Sequence, residues 1–388
     1  MKYFIDDGYV SLNHVGEELC GDKVEIVRKK EGTTIVLADG LGSGVKANIL
    51  STLTSKMLCL MIANGVDIEE CVASIISTLP VCKVRNVAYA TFTVIHVDND
   101  GKGYIFEFDN PPLIYLRNGQ VYNLPREKKT IVGRTVYCSL IDAEENDCII
   151  FCSDGAPHAG IGKTMNLGWS IEDISQYIVS NYTNDMSARQ IAALVGESCN
   201  SLYMGEPGDD TTIAALRLVK PLHVNILVGP PMNHEDDEMV ASNFMKREGL
   251  KVVCGGTTSK IMAKFLNEEI KTSLAYLSPD VPPIAIIDGL DLVTEGVITL
   301  GKVLEVTEKY LDIKDVEDKS LSEKDGATLI AKLILQRASH VNLFVGTTLN
   351  QKLLQSYHRI LCHQPNRQYS YHRKIRRHLR YKYQLYCL

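Results

Sequence analysis

The chain has 388 residues, of which 45% are hydrophobic and 23% are charged. This length and composition exclude a wholly disordered chain and favour two globular domains. The eleven cysteines are odd in number and form no CxxC pair, which argues against a disulfide framework or a zinc ribbon and indicates a reducing cytoplasm. The first ten residues carry acids where a signal peptide needs an apolar core, and the longest apolar run, 57–63, is too short to span a bilayer.

The net charge of −6 is unevenly distributed along the chain. Residues 356–388 contain eight Lys or Arg, six Tyr and no acid. Such a segment can bind nucleic acid or a membrane surface, but neither helical nor strand periodicity persists through it, and the composition changes abruptly near residue 355. We therefore expect 356–388 to be an unstructured tail or the product of a reading-frame change, and we expect no nucleic-acid or membrane partner.

Residues 1–219 read as strands joined by short turns, with two pairs of helices between them. The Asn-Gly dipeptide at 118–119 is typical of a tight hairpin, so the sheets are expected to be antiparallel. The first helix has its apolar residues spaced for one face, at Val45, Ile49, Leu53, Met57, Leu60 and Met61. Strands are predicted at 24–28, 33–37, 88–97, 104–108, 113–116 and 148–152, and helices at 43–64, 68–79, 171–181 and 187–202.

After residue 220 the pattern changes to strands that alternate with helices. Apolar runs such as VNILVG and VNLFVG are followed by segments with helical character. This alternation is typical of a parallel sheet with crossover helices. We therefore predict a smaller α/β domain with a mainly parallel sheet over 220–355, with a possible regulatory or docking role.

Four clusters of aspartate occur in order along the first domain: Asp22, Asp39, Asp154 and the pair Asp209 and Asp210. Two of them, Asp39 and Asp154, directly follow apolar runs that are typical of buried strands. Carboxylates at strand ends that share one edge suit Mg²⁺ or Mn²⁺, whereas a zinc site is expected to show His or Cys at ligand spacing. The pattern favours a two-metal hydrolase of phosphate esters.

The motifs around these acids resemble a known family. Residues 1–219 are similar to the catalytic domain of the metal-dependent serine/threonine phosphatases of the PPM, or protein phosphatase 2C-like, family, in the bacterial branch of stage II sporulation protein E. The matching segments run in family order and cover more than half of the chain. They are GD at 21–22, ADGLGSG at 38–44, NPPLIYLRNGQV at 110–121, CSDG at 152–155 and GDDTTIAAL at 208–216.

The resemblance implies an α-β-β-α sandwich of two antiparallel sheets, with two Mn²⁺ or Mg²⁺ ions at one edge and attack by a metal-bridging water. It implies that Asp39 bridges the ions and that the Gly40 carbonyl contacts the second. Between Asp209 and Asp210 it favours Asp209 as the direct ligand and leaves the role of Asp210 open. The implied catalytic residues are Asp22, Asp39, Asp154 and Asp209, and the implied metal ligands are these four with Gly40 and Asp210.

The resemblance further implies a phosphorylated protein substrate in bacterial signalling, such as an anti-sigma-factor antagonist, and allows a homodimer. His14 is the nearest candidate for a general acid, although a histidine in a surface turn is the simpler interpretation. Two alternatives stay open: a catalytically silent scaffold, and a metal-dependent hydrolase of a small phosphorylated ligand. In the latter, the glycine-rich segment 254–260, CGGTTSK, would bind phosphate at a helix N-terminus.

Overall fold

The structure is a computed structural model. It describes residues 2–78, 81–82, 87–88, 90–272, 284–295, 297–310, 321, 325–346 and 383–387. The chain divides into two compact units, Met1–Lys220 and Pro221–Leu388. Each unit is described by itself below.

The first unit contains thirteen strands and five helices in its described residues. The strands are β1 (Phe4–Leu12), β2 (Asp22–Arg28), β3 (Gly32–Gly40), β4 (Val81–Cys82), β5 (Val87–Ala88), β6 (Ala90–Asp98), β7 (Lys102–Phe108), β8 (Ile114–Arg117), β9 (Gln120–Val121), β10 (Glu127–Ile131), β11 (Arg134–Asp142), β12 (Cys148–Cys152) and β13 (Thr211–Val219). The helices are α1 (Gly44–Ala63), α2 (Ile68–Thr78), α3 (Gly155–His158), α4 (Ile171–Asn181) and α5 (Ala188–Leu202).

Eleven of these strands form two antiparallel sheets, and β4 and β5 pair with each other in a separate two-stranded sheet. One sheet has the order β1-β13-β12-β8-β9, and the other has the order β10-β11-β7-β6-β3-β2. The predicted hairpin between β8 and β9 is confirmed, because Arg117 pairs with Gln120 across the turn. Asn118 and Gly119 take positive φ angles of 54° and 71° there, the backbone that an Asn-Gly turn favours.

Apolar side chains fill the space between the two sheets, where Leu37 and Ile95 of one sheet meet Phe151 and Leu216 of the other. A second apolar layer joins α1 and α2 to the outer face of the six-stranded sheet. Helix α5 packs on β1 and β13 at the outer face of the five-stranded sheet. The predicted α-β-β-α sandwich is therefore confirmed, and this layering brings the ends of both sheets to a common edge.

Helix α1 packs on its sheet in an unexpected orientation. Its buried face is made of small and hydroxyl residues such as Ala47 and Ser51, together with Leu58. By length and composition alone, α1 is the one helix in the described part of the chain that could cross a membrane, which is weak evidence because helices of soluble cores pass the same test. The apolar side chains predicted to share one face are instead mostly in solvent, with 43–63% exposure: Val45, Ile49, Leu53, Met57 and Leu60.

Strand β1 was not predicted from the sequence, because Asp6 and Asp7 interrupt its apolar pattern. Both acids are buried and have structural partners. The Asp6 carboxylate accepts a hydrogen bond of 2.8 Å from the backbone N–H of Ala188, at the start of α5, and Asp7 forms an ion pair with Arg28. The buried acids of β1 therefore stabilise the fold.

The second unit has a mixed sheet in the order β16-β17-β18-β15-β14-β19-β20, in which β14, β15, β18, β19 and β20 are mutually parallel. The strands are β14 (His223–Val228), β15 (Leu250–Cys254), β16 (Lys271–Thr272), β17 (Ala285–Ile286), β18 (Leu292–Thr294), β19 (His340–Val345) and β20 (Tyr383–Cys387). The helices are α6 (Asp237–Met245), α7 (Gly256–Leu266), α8 (Val297–Tyr310) and α9 (Gly326–Lys332), with a 3₁₀ turn at His234–Asp236 and a π-helical turn at Leu333–Arg337.

This arrangement confirms the predicted α/β class, with antiparallel strands only at one edge. The strand β20 comes from the segment 356–388 and pairs with β19. The rest of that segment lies outside the described residues, so its predicted lack of structure stays a prediction.

Candidate active site

The five predicted site aspartates lie at strand ends in the two sheets. Asp22 begins β2 and pairs directly with Asp39, the penultimate residue of β3. Asp154 follows β12 after one residue, and Asp209 and Asp210 immediately precede the neighbouring strand β13. Each sheet therefore supplies acids to the same region.

The carboxyl groups of this cluster act on one another electrostatically. Burial, together with the smaller effects of the charges of Asp210 and Asp154, raises the pKa of Asp22 to about 8. Burial and the charges of Asp22, Asp154 and Asp209 hold the pKa of Asp39 well above its usual range. Burial and the charge of Asp154 also raise the pKa of Asp209. Charges of one sign in a low dielectric have this effect, so the five acids form one electrostatic unit.

Two carboxylate oxygens of the cluster are buried without a hydrogen-bond partner among the described residues: Oδ1 of Asp22 and Oδ2 of Asp210. The other oxygen of each is occupied, because Ser153 Oγ donates to Asp22 Oδ2 at 2.7 Å and the His14 backbone N–H donates to Asp210 Oδ1 at 3.0 Å. A buried unpaired acceptor costs about 1–3 kcal/mol. A divalent cation would satisfy such oxygens, so the donor set fits Mg²⁺ or Mn²⁺.

Within this region, one group of three side chains has ligand atoms at metal-binding separations. The atoms of Asp154, His158 and Asp209 all lie within 4.8 Å of one another. Asp210 lies outside this group and is buried, while Asp209 accepts a hydrogen bond of 2.9 Å from the Asp210 backbone N–H. Asp209 therefore shares the group with Asp154 and His158 while Asp210 does not, and the choice of Asp209 as the direct ligand stays a prediction.

His158 and Ser153 belong to the site and were not predicted. Ser153 bridges the sheets, since it donates to Asp22 and accepts from the Thr212 backbone N–H at 2.9 Å. His158 lies four residues after Asp154 on α3, and its Nδ1 is 3.9 Å from Asp154 Oδ2. The spacing of four is a signal that the sequence carried, because residues i and i+4 share a helix face.

Two glycines allow helix α1 to approach the acids. The Gly40 N–H donates to the Gly21 carbonyl at 3.3 Å, which ties the residues beside Asp39 and Asp22 together. A methyl group on Gly40 would lie 2.1 Å from the Ala47 carbonyl oxygen, and one on Gly21 would lie 2.9 Å from the Ala47 side chain. The Gly40 carbonyl stays a predicted ligand, but the close helix already explains why glycine is required there.

Two further sequence candidates are placed as follows. The His14 ring Nδ1 lies 2.8 Å from the Val15 carbonyl oxygen, so this nitrogen is held by its neighbour, and a general-acid role stays a prediction. The glycine-rich segment 254–260 lies in the second unit, where α7 begins at Gly256 with Gly255 at its N-cap and no side-chain cap. A phosphate site at this helix also stays a prediction.

Comparisons with known proteins bear on the first unit. Residues 29–219, nearly half of the chain, match the family model described as Stage II sporulation protein E (SpoIIE). No curated protein matches the chain significantly. Among solved structures, the phosphatase domain of the cell fate determinant SpoIIE from Bacillus subtilis is 21% identical, with a TM-score of 0.44, over 56% of this chain and 94% of the other.

Two other solved structures have similar values. The RsbU and RsbW domains of Rv1364c from Mycobacterium tuberculosis are 17% identical with a TM-score of 0.47, over 62% of this chain and 66% of the other. RsbX in complex with magnesium is 18% identical with a TM-score of 0.40, over 56% of this chain and 96% of the other. Likenesses with TM-scores below 0.5 do not by themselves establish a family. Residues 29–219 therefore match the family of stage II sporulation protein E, and the first unit is similar to PPM-type phosphatase domains of that branch.

Proposed function

We propose that this protein is a metal-dependent phosphatase that hydrolyses phosphoserine or phosphothreonine on a bacterial signalling protein, with two Mn²⁺ or Mg²⁺ ions in the aspartate cluster. The observation that carries the proposal is the convergence of five carboxylates from two sheets, with two buried oxygens that lack partners among the described residues. An acidic cluster of this kind is costly unless cations occupy it. Asp22, Asp39, Asp154 and Asp209 would hold them, with Gly40 and Asp210 as further contacts.

When bound, two divalent cations neutralise phosphate oxygens and activate a water for in-line attack at phosphorus. The side chains of this chain prepare that site. Asp39 links the acids of the two sheets, since it pairs with Asp22 on β2 and the charge of Asp154 beside β12 acts on its carboxyl group. Ser153 donates a hydrogen bond to one carboxylate oxygen of Asp22, and the His14 backbone N–H donates to one of Asp210. The second oxygen of each carboxylate would then be available to a cation.

The negative charge of the five aspartates makes substrate binding depend on metal ions. Without cations, five carboxylates repel a phosphate monoester dianion, so the cluster binds no phosphate by itself. Burial and the charge of Asp154 raise the pKa of Asp209 by more than the Asp210 backbone N–H and the neighbouring His158 lower it. Activity is therefore expected to require added metal.

The family resemblance supports a proposal for the partner, and the cysteine pattern supports one for the location. We extend the proposal to a phosphorylated anti-sigma-factor antagonist as the substrate, and to the cytoplasm as the location. The eight cysteines whose side chains the structure describes are free, as a reducing compartment requires. The second unit is proposed to regulate the phosphatase or to dock a partner.

The proposal is tested by phosphate release from a substrate panel in Mn²⁺ and in Mg²⁺. The full chain is compared with Asp39→Asn and with Asp100→Asn, a matched control in another Asp-Gly pair, where Asp100 is exposed in a turn. We expect hydrolysis of phosphoserine and phosphothreonine peptides by the wild type and the control, and none by Asp39→Asn. Hydrolysis of nucleotides alone would support a small-molecule hydrolase, and bound metal without any hydrolysis would support a silent scaffold.

A further inference from the structure

A histidine that the family motifs do not assign lies at the proposed metal site. His158 shares a group with Asp154 and Asp209 in which one ligand atom from each residue lies within 4.8 Å of the others. Two atoms bound to one ion at about 2.1 Å are roughly 3 Å apart in cis geometry and roughly 4.2 Å apart in trans geometry. The Nδ1 of His158 lies 3.9 Å from Asp154 Oδ2, which falls between these limits.

The segment that carries His158 is held by buried hydrogen bonds. The hydroxyl of Tyr203 donates to the Gly155 carbonyl at 2.7 Å, and the Trp169 backbone N–H donates to the Pro157 carbonyl at 2.8 Å. Both aromatic residues are buried, with exposures of 4% and 7%. Supports of this kind orient metal ligands, so the backbone beneath the imidazole is fixed while the ring itself stays accessible.

The orphaned carboxylate oxygens give an independent sign of a cation in the same region. Asp22 and Asp210 are 4% and 3% exposed, and each has one buried oxygen without a partner among the described residues. The carboxyl groups of Asp22, Asp154 and Asp209 all act on Asp39, so these acids and the His158 group belong to one site.

We infer that His158 is a direct nitrogen ligand of the ion held by Asp154 and Asp209, and that it makes this position prefer Mn²⁺ or another transition metal over Mg²⁺. The inference rests on the proposed function, which places a cation at these two aspartates. Imidazole suits transition metals, whereas Mg²⁺ prefers oxygen ligands and retained waters. A site of carboxylates alone has less of this preference.

The inference is tested by metal binding to the full chain, measured separately from activity. We compare wild type with His158→Gln and with His234→Gln, a control histidine that is also exposed and lies 3.4 Å from an acid, Asp237. His158→Gln is expected to lower Mn²⁺ affinity by about tenfold or more and Mg²⁺ affinity by less than about threefold, because the glutamine amide offers an oxygen but no imidazole nitrogen. The control is expected to change neither affinity.

Pulsed EPR of the Mn²⁺-loaded protein gives a second readout. A nitrogen hyperfine coupling from a bound imidazole is expected in the wild type and the control, and is expected to be lost in His158→Gln. Mn²⁺ binding without this coupling, or an unchanged ratio of Mn²⁺ to Mg²⁺ affinity in His158→Gln, would overturn the inference and leave the proposed function intact. Absence of any Mn²⁺ binding to the wild type would overturn both.

Discussion

Replacement of Gly40 by alanine probes how closely helix α1 and the aspartate site depend on each other. The added methyl group would lie 2.1 Å from the Ala47 carbonyl oxygen and 2.7 Å from its carbonyl carbon. Both atoms belong to the backbone of α1, so no side-chain rotation relieves the clash. Because ordinary contacts begin at 3.4 Å, the helix and β3 must separate by more than about 1 Å.

This displacement has a cost in stability and a larger one in metal binding. Overpacking costs about 1–3 kcal/mol, and the reduced freedom of the unfolded alanine chain returns about 0.4–1 kcal/mol. We therefore expect a net loss of about 1–2 kcal/mol in the free energy of unfolding. Metal–ligand distances tolerate changes of only about 0.2 Å, so a shift at the residue next to Asp39 is expected to lower Mn²⁺ affinity by about tenfold or more.

Gly208→Ala is the matched control, because Gly208 also adjoins a site aspartate but a methyl group there would meet Tyr203 at an ordinary 3.7 Å. Urea denaturation gives the stability of each variant, and calorimetric titration with Mn²⁺ gives its affinity. Wild-type stability together with wild-type Mn²⁺ affinity in Gly40→Ala would refute the reasoning. It would show that α1 can leave the strand without disturbing the acids.

Three further predictions concern the first unit. Leu53→Gln, on the exposed face of α1, is expected to change the free energy of unfolding by less than about 0.5 kcal/mol. Leu58→Ala, on the buried face, is expected to cost about 2–5 kcal/mol, measured by urea denaturation. Similar losses in the two variants would contradict the orientation of α1. Asp147→Asn breaks a buried pair with Arg117, whose Nη2 lies 2.7 Å from the carboxylate, and is expected to cost about 3 kcal/mol; a loss below about 1 kcal/mol would contradict this. Burial lowers the pKa of His96, so the contribution of the neutral ring to stability is present above the unfolded pKa and is lost as pH falls. His96→Gln is therefore expected to flatten the decline in unfolding free energy from pH 7 to pH 5. An unchanged slope would contradict this prediction.

Local patterns were sufficient for most of the first unit. The strand Cys148–Cys152 and the helix Ile171–Asn181 have the predicted bounds, because apolar runs and helical spacing report burial directly. The Asn-Gly turn at Asn118 specifies its own backbone conformation. The positions of Asp39 and Asp154 at strand ends followed from the same local signals, and family order placed them in one site.

The features that the sequence did not predict have a common physical cause. The burial and the contacts of a side chain depend on partners that are distant in sequence. The acids of β1 are buried because Asp6 accepts from the Ala188 N–H and Asp7 pairs with Arg28, and neither partner is visible in the local pattern. The spacing of apolar residues in α1 predicted a helix but not which of its faces packs on the sheet. Because Gly40 has no side chain, the face of α1 with small residues around Ala47 packs there, and the apolar face does not.

The candidate active site also combines features that the sequence predicts with features that depend on contacts between distant strands. Charge type and order identified the aspartates, but Ser153 and the buried unpaired oxygen of Asp22 become evident only when β2 and β12 come together. His158 could have been found from its spacing of four from Asp154. The family motif CSDG ends at Gly155 and therefore gives no expectation for residue 158.

The central claim is that the aspartate cluster binds divalent cations and uses them to hydrolyse a phosphoserine ester. The most direct measurement is the rate of phosphate release from a phosphoserine peptide as Mn²⁺ is titrated into protein stripped with EDTA, for wild type and Asp39→Asn. The account predicts no release without metal, a saturable rise for the wild type, and no release by Asp39→Asn at any Mn²⁺ concentration. Equal release by the two proteins, or release by the wild type in EDTA alone, would contradict it.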